Sequence, residues 1–76
     1  VLYLEALLDR QRLDAIRALA AQLKEDRREL TRLVEEYQKT NDPKVQEALL
    51  EQMNQLKDRM RELQQRMSEL AKGIRD

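Results

Sequence analysis

The chain has 76 residues, 39% of them charged and 3% aromatic, with fifteen basic side chains balancing fifteen acidic ones. That is one small domain at most, near the size at which a single core leaves little surplus stability. The zero net charge excludes a whole-molecule basic field that would draw nucleic acid or anionic membrane, and the lack of cysteine excludes disulfides and thiolate metal sites.

Leu, Ala, Glu, Lys, Arg, Gln and Met dominate, all good helix formers, while the β-branched and aromatic residues that sheets prefer are sparse. The composition therefore predicts an all-α fold. Apolar runs such as Val1–Leu4 are far shorter than the roughly 20 residues that cross a bilayer, so no membrane span is expected. Residue 1 is not Met, no signal-peptide pattern is present, and apolar patterning runs to both ends. A piece of a larger protein is the expectation, and compartment is not readable.

In chain order, the first predicted helix covers about 2–40. Its apolar row runs through Leu2, Ala6, Asp9, Leu13, Ile16, Ala20, Leu23, Arg27, Leu30, Val34 and Tyr37. The steps alternate four and three, the mark of a heptad seam, with Asp9 and Arg27 as polar interruptions. A polar residue in such a seam either fixes register or carries its charge out to water along a long stem. For Arg27, with Leu56 expected across the seam, the second reading is preferred.

The strong breaker is "TNDP", residues 40–43. Pro43 disfavours helical geometry at Asp42 and suits the first position of a new helix, with Asp42 as its N-cap. This predicts a turn at 41–42 and a second helix over about 43–72, closed by Gly73. Its seam is Leu49, Met53, Leu56, Met60, Leu63, Met67, Leu70 and Ile74, without polar breaks. Methionine suits both cores and adaptable grooves. The leucines alternating with Met53, Met60 and Met67 make these three seam residues.

A reversal at 41–42 matches the two rows without a slip: Val34 with Leu49, Leu30 with Met53, Leu23 with Met60, Ala20 with Leu63, Ile16 with Met67 and Leu13 with Leu70. That agreement predicts an antiparallel two-helix hairpin, coiled-coil-like. Charges outside the rows, such as Glu35–Lys39 and Glu62–Arg66, are spaced to pair on solvated faces.

The matching leaves "VLYLEALL" (1–8) beyond the end of the second helix, and residues 13–23 apolar on more than one face. A helix that is apolar nearly all round needs more than one neighbour. The expected function is therefore a non-enzymatic module for protein–protein interaction or oligomerisation. Val1, Leu2, Leu4, Leu7, Leu8, Ala15 and Leu19 would meet a second copy in a homodimer, giving a four-helix bundle, or another helix of the parent protein. The alternative is a small RNA- or acidic-partner-binding module using Arg10, Arg17 and Lys24, which recur every seven residues. Asp14, Asp26 and Glu29 interrupt that row, and no aromatic residue on it could stack on bases. Without His or Cys, the usual general base and thiol nucleophile are absent, as is any Glu-x-x-His pair for a di-iron site. No enzyme activity, cofactor or metal is expected.

Overall fold

The computed structural model describes residues 2–73, which form two helices, α1 (Leu2–Lys39) and α2 (Pro43–Lys72). They pack side by side as an antiparallel hairpin, a rod 61 Å long and about 15 Å across. A compact protein of 9.1 kDa exposes about 4,900 Å² by the surface-to-mass scaling. This rod exposes 6385 Å². Two helices have one mutual face, so most of each helix stays in water.

The turn forms as its residues dictate. Asp42 is extended (φ −82°, ψ 116°), and its carboxylate accepts the Lys44 N–H at 3.0 Å, capping α2 with Pro43 in the first turn. The Gln46 side chain reaches back to donate to the Thr40 carbonyl at 3.0 Å, tying the two helix ends together. At the other end Gly73 closes α2 in a right-handed conformation (φ −81°, ψ −10°), donating to the Leu70 carbonyl. Its backbone is one that any residue adopts, so no positive φ calls for glycine here. The Arg12 guanidinium lies 3.0 Å from where a Cβ would sit, and its Nη1 donates to the Gly73 carbonyl.

The core is small. Leu33, Leu49 and Met53 form one buried cluster near the turn, flanked by Leu30, Tyr37 and Leu56, and Leu23 is buried further along. On α2 the inward row is Leu49, Met53, Leu56, Met60, Leu63, Met67 and Leu70, as the sequence indicates. The Met row is thus seam: Met53 is buried, and Met60 and Met67 are half-buried. Ile74, and with it the expected pairing of Asp9 with Ile74, lies outside the described residues.

On α1 the structure differs from the expected seam. Asp9, Ile16, Leu23, Leu30 and Tyr37 face inward as expected. Between them come Arg12, Leu19, Asp26 and Leu33, in place of Leu13, Ala20, Arg27 and Val34. Leu13 and Val34 stay 42% and 38% exposed. The register moves accordingly. Arg59 reaches Asp26, Gln46 reaches Thr40 and Arg12 reaches Gly73, each two or three residues nearer the turn on α1 than the expected matching. Met53 consequently packs in the cluster with Leu33, and the same offset sets Leu63 level with Leu23 and Met67 level with Leu19.

Candidate interaction surface

The most buried side chain in the described chain is a charged one. Asp26, 2% exposed, sits in the α1 seam between Leu23 and Leu30. It accepts from Gln22 Nε2 at 3.0 Å, one turn earlier on its own helix, and from Arg59 Nε at 2.9 Å. Arg59 Nη2 makes a second bond to the same carboxylate, so the guanidinium grips it as a fork. That grip holds the Asp26 carboxyl below its ordinary 3.8 despite the opposing effect of desolvation, with Gln22 and the bare charge of Arg59 adding to the lowering. Arg59 sits beside its own seam, and its side chain is 57% exposed. One end of the clasp is therefore dry and the other wet. Polar specification of the seam thus falls to Asp26, while Arg27 is exposed and off the seam.

Sequence reasoning missed this clasp because it put position 27, rather than 26, on the inward row. One signal was available. Gln22, Asp26 and a later arginine on a helix matched in reverse make a three-member polar set, which a search for i, i+4 polar partners would have raised.

Elsewhere the charges pair locally. Arg12 meets Asp9 at 3.4 Å, Arg17 meets Asp14 at 3.8 Å and Arg28 meets Glu25 at 3.6 Å. Arg32 is held between Glu29 and Glu36, which lowers the Glu29 carboxyl and raises the guanidinium. Neither Glu35–Lys39 nor Glu62–Arg66 is among the ion pairs of the described residues. Arg10, Arg17 and Lys24 lie on the exposed side of α1, and acid three residues before Arg17 offsets its charge.

The apolar candidates divide into two groups. At the open end Gly73 accepts from Arg12 and lines a hollow with Glu5, Leu8, Asp9 and Arg12, and the first turns of α1 project past it. On that projection Leu2, Tyr3, Leu4, Leu7 and Leu8 are 41 to 82% exposed. Val1 lies outside the described residues. Ala15 and Leu19 are half-buried and line one open groove of about 540 Å³ with Ala18, Leu70, Arg66 and Glu69. Leu4, Leu8, Gln11, Ala15, Ala18 and Gln22 recur at alternating steps of four and three, so they share one uncharged stripe of α1 beside the hairpin seam. Leu2 continues the hairpin seam instead, and Leu7 lies at the far margin of the stripe. The α2 wall of this groove, Arg66, Glu69 and Leu70, was not foreseen because it depends on the register.

Among the described residues no group of His, Cys, Asp or Glu could hold a metal ion, and no helix is long and apolar enough to cross a membrane. No protein-family model matches the chain, and neither a curated protein nor a solved structure is similar to it.

Proposed function

We propose that the chain is a non-enzymatic helical-hairpin module for helix-to-helix association, acting through its open end. The observation that carries this is the run of exposed Leu2, Tyr3, Leu4, Leu7 and Leu8, continuous with the groove at Ala15 and Leu19. Apolar area of this kind, gathered at one end of a rod, is where soluble proteins place an interface. The turn end is capped and carries the compact Leu33–Leu49–Met53 cluster. The hairpin seam holds the two helices in register, and the open end meets the partner. That partner is a second copy, completing a bundle of four helices, or another helix of a longer parent chain.

Sedimentation equilibrium at 10 to 100 μM tests the self-association form. The expected mass is that of two chains, falling to one when residues 1–8 are removed. A stably helical monomer at every concentration would overturn self-association.

The contending reading, binding of RNA or of an acidic partner through Arg10, Arg17 and Lys24, draws support from Arg10 and Lys24, which make no ion pair among the described residues. It predicts affinity that falls steeply with added salt and weakens in Arg17→Ala. The association module tolerates that substitution.

A further inference from the structure

We infer that the partner of the open end is a second copy of this chain, docked antiparallel across a two-fold axis near Gln11. Each copy's Leu4 and Leu8 then fill the other copy's groove at Ala15 and Leu19. This rests on the association reading and fixes its geometry.

The uncharged stripe of α1 is asymmetric along its length. Its first part carries Leu4 and Leu8, and its later part carries the small Ala15 and Ala18. Parallel pairing of two such stripes sets leucine against leucine and alanine against alanine, which leaves a bulge at one end and a void at the other. Antiparallel pairing brings the leucine-bearing part of one stripe toward the alanine-bearing part of the other, which suits close packing. With the axis near Gln11, Leu8 comes level with the other copy's Ala15, and Leu4 with the other copy's Leu19.

The same placement covers what each hairpin leaves open. The leucines of the projecting turns of α1 stay exposed, while the groove lies between α1 and α2 with Leu70 in its wall. The other copy's projection supplies a third helix there.

Charge agrees with shape. Glu5, exposed on the projection, and Arg66, at the rim of the groove, make no ion pair among the described residues. Arg66 stands close to the level of Leu19. An antiparallel second copy brings its Glu5 to that height, and the two-fold makes the contact twice. Such rim charges set orientation and partner choice more than affinity.

The test is charge reversal in the full chain, read by sedimentation equilibrium, with circular dichroism to verify that each variant stays helical. Glu5→Arg alone and Arg66→Glu alone each place two like-charged contacts in the dimer, and each raises the dissociation constant about tenfold or more. Mixing the two variants one to one restores dimerisation, because the heterodimer has Arg against Glu at one contact and Glu against Arg at the other. A wild-type dimer that is indifferent to both reversals, or variants not rescued by mixing, would overturn this geometry and leave the association reading standing. A monomeric wild-type chain would overturn this geometry together with the self-association form of that reading.

Discussion

Replacing Asp26 by leucine isolates what the buried clasp does. The residue lies in the seam between Leu23 and Leu30 at 2% exposure, so a leucine there would be almost fully enclosed. Full burial of a leucine contributes about 1.5–3 kcal/mol. Against it stands the loss of the Arg59 pair and of the Gln22 hydrogen bond. Arg59 is more than half exposed and returns to water readily, so its pair counts like a surface one and contributes little. The Gln22 bond adds about 1 kcal/mol at most. The desolvation that Asp26 suffers in the folded state also disappears, and exchange of a buried ionic group for a well-packed apolar one is commonly neutral to stabilising.

The net expectation for Asp26→Leu is stabilisation of about 1 kcal/mol, which for a chain of this size raises Tm by roughly 4–8 °C. Asp26→Ala loses the clasp without filling the space, so its Tm falls below wild type. Thermal melts followed by circular dichroism at pH 7 check the order Leu, Asp, Ala. One protein concentration must serve throughout, because any self-association would make Tm depend on concentration. An Asp26→Leu chain melting more than about 5 °C below wild type would refute the reasoning, since the clasp would then stabilise more than an enclosed leucine. The variant should also lose uniqueness, because a polar seam residue restricts register and partner number. Sedimentation velocity should show a broader distribution than wild type.

The clasp gives stability a pH dependence of definite sign. Asp26 titrates below its ordinary 3.8 in the fold, so its contribution is present above that value and is lost as pH falls through the folded pKa. The Tm difference between wild type and Asp26→Asn should therefore shrink as pH drops from 5 to 2, and a constant difference would contradict the assignment. Leu33→Ala should cost about 2–4 kcal/mol in urea melts, whereas Val34→Ala, on the exposed flank, should cost under about 1 kcal/mol. Equal costs would favour the other α1 row. Asp42→Ala removes the N-cap acceptor for the Lys44 N–H and should lower stability by about 1 kcal/mol, with Asp42→Asn nearly neutral by the same melts.

What the sequence by itself determined is local. Helix-forming composition, the Asn41-Asp42-Pro43 break and the unbroken row from Leu49 to Leu70 specify two helices, their turn and the inward face of α2. Each depends on residues close in the chain, through propensity, capping and a 3.6-residue repeat.

The inward face of α1 was decided only by the tertiary structure. Two rows one residue apart share Ile16, Leu23, Leu30 and Tyr37, and both alternate three and four. They differ in whether Leu13, Ala20, Arg27 and Val34 or Arg12, Leu19, Asp26 and Leu33 complete them. Counting apolar residues favours the first. The fold takes the second, which buries Leu33 and part of Leu19 and gives both polar members a partner, Asp26 on Arg59 and Arg12 on the Gly73 carbonyl. The first row would have turned Arg27 inward, where the expected matching offers Leu56 and Lys57 but no carboxylate. A helix alone cannot choose between faces whose centre lines lie only about 50° apart, because the choice depends on which polar groups the partner helix can satisfy. The groove at Ala15 and Leu19 follows from that choice, because its wall of Arg66, Glu69 and Leu70 comes from α2 at the observed register.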